Sequence, residues 1–380
     1  MKKNKKIKIA FVLRSLETGG AERQVIELAS GLNKKNFESV IICFYNRGNL
    51  RKVAIEKKIN IIFLEKNSRY DLYPFLKKFH KTIKEIKPDI VHSFLDSPNI
   101  ITSLYKYFFP KYILLWGIRS SNMDLRYYPL NRRLSVYLEK FLHRIPEEIV
   151  FNSFLGMSVN TGKRFKKNKY SVIHNGIDTE YFRKSLFFRN ETRKIWGLKN
   201  SDFVIGIVAR DDPKKDFNTF IEAAKIAHKT NKQIYFAIIT NRKETILSLI
   251  KDYNLNKSFI IKTKQIETNK IYPAFDINTL TSSFGEGFPN VVAEGMSCGI
   301  PTVASNCGDS SLILGDNNYI FSPKNSDQLA KKWLRIVNLN AEKRIEIGEI
   351  HRKRIIDNFS KQIMIDNSEN LYKKHLKIHD

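Results

Sequence analysis

Two glutamates flank the predicted start of a helix between Ser282 and Gly299. Glu286 lies between two glycines, which permit a tight turn and a close approach of the backbone to a ligand. Pro289 suits the first position of the helix that follows, and Glu294 lies within that helix. Because the N–H groups at a helix start attract anions, we interpret the segment as a phosphate site with a hydroxyl-binding carboxylate on either side. A sugar nucleotide has this layout of sugar, diphosphate and ribose.

The same segment also has a purely structural interpretation. Ser283 and Glu286 match the S-x-x-E capping box, in which the two side chains only secure the start of a helix. Glu294 would then be a solvated residue on the helix surface. The segment alone leaves both interpretations open.

Basic residues follow the apolar run Phe203–Ala209, which we predict to be a buried strand. Arg210 can bind a phosphate through two parallel hydrogen bonds, and Lys215 adds a point charge. An exposed basic turn is the alternative interpretation. Asp211 and Asp212 are adjacent rather than spaced as D-x-D, so they are weak evidence for a metal site. We expect neither a metal nor a cofactor.

A glycine pair, Gly19 and Gly20, follows the first predicted strand and precedes a predicted helix. Such a pair lets a loop pass close to a diphosphate, although the complete G-x-G-x-x-G dinucleotide motif is missing. A simple turn between a strand and a helix is the alternative.

Polar residues lie at the ends of two further predicted strands. His92 lies in the run Ile90–Phe94, where it either contacts a substrate or is an ordinary half-buried histidine. Arg119 directly follows the next apolar run, and Ser120 and Asn122 come after it. We predict that these polar side chains meet a sugar, a phosphate or an acceptor.

Short apolar runs alternate with helical segments along most of the chain, which indicates parallel sheets with helices on both faces. We predict an α/β protein with an N-terminal Rossmann-like domain over residues 1–180 and a C-terminal one over residues 190–360, the two facing each other across a cleft. The last helix, about residues 361–380, is predicted to pack back on the first domain. The predicted strands are Ile7–Leu13, Val40–Phe44, Ile59–Leu64, Ile90–Phe94, Ile113–Ile118, Ile149–Phe151, Ser171–His174, Phe203–Ala209, Ile234–Thr240, Ser258–Ile261, Asp276–Thr281, Pro301–Ala304 and Asn318–Phe321.

The net charge of +28 favours polyanions or anionic membrane surfaces as partners, unless it only reflects the base composition of the source. Because the lysines are spread over most predicted helices and no nucleic-acid-binding motif occurs, we do not predict nucleic acid as a partner. The N-terminal apolar run, interrupted by Lys8 and ended by Arg14, is too short for a secretory signal. The three cysteines form neither a disulfide framework nor a metal spacing, so we expect a reduced, cytoplasmic protein.

The segment Pro129–Arg144 is amphipathic and basic, which is typical of a helix lying on an anionic membrane surface. The run from Lys106 to Lys111 adds aromatic and basic residues nearby in the sequence. An ordinary helix docked on the sheet is the alternative.

Four segments, taken together, resemble the family-4 retaining glycosyltransferases of GT-B fold. GEGFPNVVAEGMSCGIPTVAS, which starts at Gly285, resembles the donor-binding signature with its two glutamates, and ARDDPKKDF resembles the arginine–lysine phosphate motif. TGGAERQVIELASGL resembles the N-terminal glycine loop with its helix, and VIHNGIDTEYF resembles the segment between the domains. The matches follow the order of the family and cover nearly the whole chain.

The resemblance implies a metal-independent enzyme that moves a sugar from a nucleotide diphosphate to an acceptor hydroxyl with retention of configuration. Glu286 would contact hydroxyls of the donor sugar, and Glu294 would bind the ribose. Arg210, Lys215 and Arg119 would act at the reacting groups, the first two by neutralising the departing diphosphate. The other implied donor-binding groups are Gly19, Gly20 and the backbone amides of Phe288, Asn290 and Val291.

The resemblance also implies a bacterial setting in lipid-linked surface glycan synthesis, such as lipopolysaccharide or capsule, on the inner face of the cytoplasmic membrane. The expected partners are a nucleotide-sugar donor and a lipid-linked or glycan acceptor. Three positions depart from the family pattern. Arg119 stands where many relatives carry histidine, and Asp216 and Asp309 stand where glycines are usual.

Two other functions stay open at this point. A sugar-nucleotide epimerase also uses paired Rossmann-like domains. A non-catalytic partner subunit could keep the fold, although the intact Glu286, Glu294, Arg210 and Lys215 argue against it.

Overall fold

A computed structural model of the chain describes residues 6–68, 70–119, 121, 124–161, 170–251, 256–263 and 267–377. Ser120 and Asn122, two of the predicted contact residues, lie outside these ranges. The chain forms two compact units. The first unit comprises residues 1–120, 124–176 and 361–380, and the second comprises residues 121–123 and 177–360.

The first unit is built on a parallel sheet of seven strands in the order β3-β2-β1-β4-β5-β6-β7. Its strands are β1 (Ile7–Leu13), β2 (Phe37–Cys43), β3 (Asn60–Phe63), β4 (Ile90–Phe94), β5 (Ile113–Ile118), β6 (Glu148–Phe151) and β7 (Tyr170–Val172). Its helices are α1 (Gly20–Gly31), α2 (Leu50–Glu56), α3 (Leu72–Ile86), α4 (Asp96–Phe108), α5 (Leu130–Leu142), α6 (Phe154–Thr161) and, from the end of the chain, α15 (Lys361–His375).

The second unit repeats this plan with a parallel sheet of six strands in the order β10-β9-β8-β11-β12-β13. Its strands are β8 (Phe203–Val208), β9 (Ile234–Thr240), β10 (Phe259–Thr263), β11 (Ile277–Leu280), β12 (Thr302–Ser305) and β13 (Ile320–Phe321). Its helices are α7 (Leu186–Ile195), α8 (Phe217–Thr230), α9 (Lys243–Ile250), α10 (Thr268–Ile271), α11 (Asn290–Ser297), α12 (Ser310–Leu314), α13 (Ser326–Val337) and α14 (Ala341–Phe359).

Both faces of each sheet are buried, which is why the strands read as continuous apolar runs. In β1, Phe11 packs into one core cluster and its neighbours Ala10 and Val12 pack into the cluster on the opposite face. Side chains of successive strand residues point to opposite faces, so a strand without a polar face needs helices on both sides. The predicted α/β class with two doubly wound parallel sheets is confirmed.

Each predicted strand overlaps a strand of the structure. The largest difference is at β2, which begins at Phe37 instead of the predicted Val40. Glu38 is exposed, and a polar outward-facing residue near the start of the strand interrupts the apolar run without ending the strand.

The helix α15 belongs to the core of the first unit, although it is the last helix of the chain. Its residues Ile365, Leu371 and Tyr372 lie in the same buried cluster as Val25 and Leu28 of α1. The contact is close, because a Cβ atom on Gly31 of α1 would lie 2.2 Å from Cδ1 of Ile365.

Candidate functional site

The carboxyl edge of the second sheet carries the residues that the sequence singles out. In the order β10-β9-β8-β11-β12-β13, the chain leaves β8 toward β9 on one side, while β11 lies on the other side. Ligands of doubly wound sheets bind at the carboxyl ends of the strands where the direction of winding changes in this way. The segments after β8 and β11 carry Lys215 and Glu286, respectively.

Lys215 and Glu286 form a buried ion pair. The Lys215 Nζ atom lies 2.6 Å from Oε1 of Glu286, and the Ser282 hydroxyl donates a hydrogen bond of 2.8 Å to the same oxygen. Lys215 ends a short 3-10 turn, Pro213–Lys215, in which Asp212 accepts a hydrogen bond from the Lys214 N–H group. This turn aims the lysine at a carboxylate that lies 71 residues later in the chain.

Glu286 is ionised at neutral pH. Burial by itself raises the pKa of this carboxyl group, but the charges of Lys214 and Lys215 and the hydrogen bonds from Lys215 and Ser282 outweigh burial and lower the pKa to about 2. An ionised carboxylate only accepts hydrogen bonds. Glu286 can therefore hold hydroxyl groups, and it is not a proton donor at neutral pH.

The backbone around Glu286 is held from several sides. The Ser121 hydroxyl donates to the Glu286 carbonyl oxygen, and the Asp309 N–H group donates to the Gly287 carbonyl at 2.9 Å. Gly308 has a φ of +62°, and a Cβ atom there would lie 2.3 Å from the Gly287 carbonyl oxygen. Position 308 therefore requires glycine, whereas Asp309, with a φ of −88°, needs no glycine although the family pattern has one.

The capping-box interpretation of Ser283 and Glu286 is wrong. The helix α11 begins only at Asn290, and the Ser283 N–H group donates to the Lys214 carbonyl at 2.8 Å. Pro289 is the cap residue of α11 rather than its first helical residue. Because the first amides of a helix have no partner within the helix, the start of α11 provides N–H donors directly after the segment that carries Glu286.

Glu294 lies on α11 and is only 5% exposed, so the interpretation as a solvated helix residue is wrong. The Tyr272 hydroxyl donates a hydrogen bond of 2.8 Å to Oε2 of Glu294. Tyr272 itself is fully buried. Nothing in the sequence around Tyr272 pointed to this contact, because the two residues lie on separate elements.

Arg210 differs from Lys215, although the sequence predicts a similar role for both. Arg210 is exposed and has no ion pair with any carboxylate of the described residues. Asp216, which replaces a usual glycine, has a φ of +47° and caps α8 by accepting hydrogen bonds from the Thr219 N–H and hydroxyl groups. Aspartate tolerates this left-handed conformation better than most residues, which explains how the turn keeps its shape without glycine.

The predicted glycine pair of the first unit lies at the carboxyl edge of its sheet. The helix α1 begins at Gly20, and Gly19 is its cap residue. A Cβ atom on Gly19 would lie 2.0 Å from a carboxylate oxygen of Glu22. Glycine at position 19 therefore leaves room for an acidic side chain in the first turn of α1.

His92 is 2% exposed and lies in β4. Its Nδ1 atom lies 2.9 Å from the hydroxyl group of Tyr372, a residue of α15, and its ring stacks on Phe94. Burial, together with the charge of Arg119, lowers the pKa of His92 well below its usual value, so the ring is neutral. Its Nε2 atom has no hydrogen-bond partner among the described residues.

Arg119 follows β5 and is half-buried. Its guanidinium group lies over the Phe94 ring, 4.8 Å from the centroid, and donates one hydrogen bond of 3.3 Å to Oδ1 of Asn175. Burial lowers the pKa of Arg119 to about 10, which leaves the side chain charged at neutral pH. The sequence did not indicate that Tyr372 would contact His92 or that Asn175 would contact Arg119.

Two family models together cover most of the chain. The family described as Glycosyltransferase Family 4 matches residues 18–181, and the family described as Glycosyl transferases group 1 matches residues 188–354. The first match includes Gly19, His92 and Arg119, and the second includes Lys215 and Glu286. The chain belongs to glycosyltransferase family 4.

Curated relatives of this glycosyltransferase act in glycan synthesis. A UDP-Gal:alpha-D-GlcNAc-diphosphoundecaprenol alpha-1,3-galactosyltransferase of Escherichia coli is 28% identical over 54% of this chain and 54% of its own length. The capsular polysaccharide biosynthesis glycosyltransferase CapM of Staphylococcus aureus is 24% identical over 81% of this chain and 82% of its own length. The first match thus spans about half of each chain, and the second spans most of both.

Solved structures show the same fold as this glycosyltransferase. The Anabaena protein HepE, solved in complex with UDP-glucose, is 19% identical and superimposes with a TM-score of 0.83 over 97% of this chain and 100% of its own. A glycosyltransferase from Rickettsia africae is 22% identical, with a TM-score of 0.81 over 98% of this chain and 100% of its own. The predicted GT-B fold class is confirmed.

Among the residues that the structure describes, no group of three or more histidine, cysteine, aspartate or glutamate side chains is placed to hold a metal ion. Within the same ranges, no helix combines the length and the apolar character needed to cross a membrane. Cys43, Cys298 and Cys307 are buried, free thiols.

Proposed function

We propose that this glycosyltransferase moves a sugar, with retention of configuration, from a nucleotide diphosphate sugar bound by residues 190–360 to a hydroxyl group of an acceptor bound by residues 1–180. The observation that carries the proposal is the buried, ionised Glu286, paired with Lys215 and followed by the start of α11. A carboxylate that accepts hydrogen bonds, a cation and the N–H groups at a helix start are the groups that a sugar diphosphate requires.

Each part of the donor has a matching group in the second unit. Glu286 accepts hydrogen bonds from hydroxyls of the donor sugar, and Glu294 on α11 accepts them from the ribose. Lys215, Arg210 and the amides of Phe288, Asn290 and Val291 bind the diphosphate. The exposure of Arg210 supports this role, because an unpaired surface guanidinium is free to reach a phosphate. We also assign Gly19 and Gly20 of the first unit a role in donor binding.

The reaction exchanges one bond at the anomeric carbon for another on the same face of the sugar. The bond between this carbon and the phosphate oxygen breaks, and the electron pair leaves with the nucleotide diphosphate. The acceptor oxygen forms the new bond, and its proton goes to an oxygen of the departing phosphate. Lys215 and Arg210 stabilise the negative charge that develops on the diphosphate, which is an electrostatic form of catalysis that needs no metal ion.

We further propose that the acceptor is lipid-linked and that the enzyme works at the inner face of the cytoplasmic membrane. The E. coli relative is described as acting on a diphosphoundecaprenol acceptor, which supports a lipid-linked acceptor here. The helix α5 supports attachment to a membrane surface. Its large apolar side chains are exposed, namely Leu130, Leu134, Tyr137, Leu138 and Phe141. Exposed aromatic residues also lie at the end of α4, namely Tyr107, Phe108 and Phe109.

Lys106 takes no part in this surface, although the sequence groups it with the basic and aromatic run that ends at Lys111. Lys106 lies within α4, is buried, and is paired with Glu147. Exposed cations among the described residues of this region include Lys111, Arg126, Lys140 and Arg144. Exposed apolar side chains together with cations suit an anionic lipid surface.

Vesicle binding tests the membrane proposal. We expect the full chain to sediment with phosphatidylglycerol vesicles and to lose most of this binding in Leu134→Asp plus Phe141→Asp. Leu186→Asp, at an exposed position of α7 in the second unit, is the matched control and should bind like the wild type. Equal binding of all three proteins would exclude this surface.

Binding and transfer assays test the donor site. A thermal-shift screen of nucleotide sugars against the full chain should show a raised melting temperature with the natural donor class. Glu286→Gln should then reduce transfer by about 100- to 1,000-fold, the loss typical of removing one group that stabilises a transition state. Glu244→Gln, at an exposed position of α9, is the matched control and should keep full activity.

Three results would contradict the proposal. Full transfer activity in Glu286→Gln would exclude the assigned role of this carboxylate. Isomerisation of a nucleotide sugar without any acceptor would indicate an epimerase instead. Failure of every nucleotide sugar to bind would indicate a non-catalytic protein.

A further inference from the structure

Arg119 is a half-buried cation without an anionic partner among the described residues. No carboxylate of the described residues lies within ion-pair distance of it, and its Nε atom has no hydrogen-bond acceptor. Buried charges in proteins are normally paired, because removing an ion from water costs several kcal/mol. A guanidinium group whose Nε atom is buried and unpartnered among the described residues therefore needs an explanation.

The one hydrogen bond that Arg119 makes to a described residue is weak. Its length of 3.3 Å is at the long end of the range for an N–H donor and an oxygen acceptor. The acceptor, Oδ1 of Asn175, is also approached by the Asn152 side-chain amide at 3.4 Å. A neutral oxygen shared by two donors does not balance a full positive charge.

The surroundings hold the guanidinium group in place without neutralising it. The Phe94 ring supports one face of the group. His92, which stacks on the same ring, is neutral and bonded to Tyr372 through Nδ1, while its Nε2 atom is buried without a partner among the described residues. The half-buried position of Arg119 leaves it accessible to a small group.

We infer that Arg119 binds an oxyanion carried by a substrate, in a site formed by Arg119, Asn175 and Phe94 at the carboxyl edge of the first sheet. This inference rests on the proposed function for the identity of the substrate. A planar guanidinium matches the two oxygens of a phosphate or carboxylate, whereas the histidine of many relatives presents only one ring nitrogen to a ligand. The oxyanion belongs either to the donor diphosphate or to a phosphate on the acceptor, and binding measurements separate these sources.

Calorimetry on the full chain provides the test, with uridine, UDP and inorganic phosphate as probes. The variants are Arg119→Gln, which removes the charge, and Arg119→Lys, which keeps the charge but loses the planar guanidinium that can bind two oxygens at once. Lys77→Gln is the matched control, because Lys77 is an exposed cation on α3 of the same unit. Uridine lacks phosphate, so its affinity should be the same in all four proteins.

If the oxyanion belongs to the donor, Arg119→Gln should weaken the binding of UDP at least tenfold, which corresponds to about 1.4 kcal/mol. An acceptor oxyanion predicts unchanged UDP affinity and at least tenfold weaker binding of phosphate to the UDP-saturated protein. Arg119→Lys should be intermediate in either case. If Arg119→Gln binds both UDP and phosphate as the wild type does, the inference is wrong.

The same experiment separates this inference from the proposed function. If UDP does not bind the wild-type protein, the proposed donor site is wrong. The phosphate titration on the UDP-free protein still decides whether Arg119 binds an oxyanion.

Discussion

Two arginines, the fully buried Arg193 and the half-buried Arg119, differ in how their charge is satisfied. Arg193 of α7 has a hydrogen bond at every nitrogen, including a bond of 2.7 Å to the Asp276 carboxylate. Arg119 has one long bond to Asn175 and no carboxylate partner among the described residues. The other hydrogen bonds of the Arg193 side chain go to the backbone carbonyl oxygens of Ala274, Lys199, Asn200 and Asp202.

The difference shows which arginine stabilises the protein and which one is available to a ligand. The Arg193 side chain ties α7 to the loop before β8 and to the start of β11, and Arg189 binds the other oxygen of Asp276. The free-energy cost of removing the Arg193 charge from water is offset by these ionic and hydrogen-bonding contacts within the protein. Among the described residues, no carboxylate contacts Arg119. An anion of a ligand would supply this missing ionic contact.

The largest predicted effect is on stability at Arg193. Arg193→Gln should lower the free energy of unfolding by about 3–5 kcal/mol, because Asp276 loses one of its cationic partners and several carbonyl groups lose their donor. Arg119→Gln should change it by less than about 1 kcal/mol, because no buried carboxylate is left behind. Urea unfolding followed by circular dichroism measures both, and equal losses in the two variants would remove the distinction.

A smaller loss of stability is predicted at Lys215. Lys215→Met leaves the Glu286 carboxylate buried with fewer partners, which should cost about 1–3 kcal/mol. The pKa of Glu286 should rise, because burial raises it and one of the opposing charges is gone. Transfer activity should fall by about 100-fold or more, because the cation at the diphosphate is lost. Lys229→Met, at an exposed position of α8, is the control.

The pH dependence of stability gives a second measurement on the same pair. In the wild type, the lowered pKa of Glu286 stabilises the fold above its ordinary value near 4.5, and this contribution is lost as the pH falls toward about 2. Lys215→Met should therefore show a weaker loss of stability over this window than the wild type. If the free energy of unfolding depends on pH in the same way in both proteins, the ion pair between Lys215 and Glu286 is contradicted.

A small loss of stability is predicted at Tyr372, which connects α15 to the Arg119 region. Tyr372→Phe removes the hydroxyl group that contacts Nδ1 of His92 and should cost about 1 kcal/mol. Tyr70→Phe, at a residue that is 87% exposed, should cost nothing measurable. Urea unfolding compares the two. A loss above about 3 kcal/mol would show that the hydroxyl does more than satisfy one histidine.

Much of the fold is readable from the sequence, because it depends on local patterns. The apolar runs of β1 and β8 and the helical segments after them predict two doubly wound sheets. The polar residues after the strands indicate where ligands bind, because parallel strands share a carboxyl edge. The start of β2 was misplaced, since an exposed Glu38 interrupts the run without ending the strand.

The candidate site was predicted in part. Glu286 and Lys215 were both identified, but nothing local indicates that they form an ion pair. The capping-box alternative for Glu286 failed because the helix begins later, at Asn290. Tyr272, which bonds Glu294, was missed because a tyrosine before a proline carries no pattern that points to a carboxylate.

The sequence by itself determined the fold class, the family and the residue types available at the carboxyl edges. Tertiary structure alone decided which of those residues are paired: Lys215 with Glu286 across 71 positions, and His92 with Tyr372 across 280. It also left Arg119 without a carboxylate partner among the described residues. The physical reason is the range of the forces involved. Periodicity and turn preferences act over a few neighbouring residues, whereas the pairing of a charge depends on which distant side chains the sheet brings within hydrogen-bond distance.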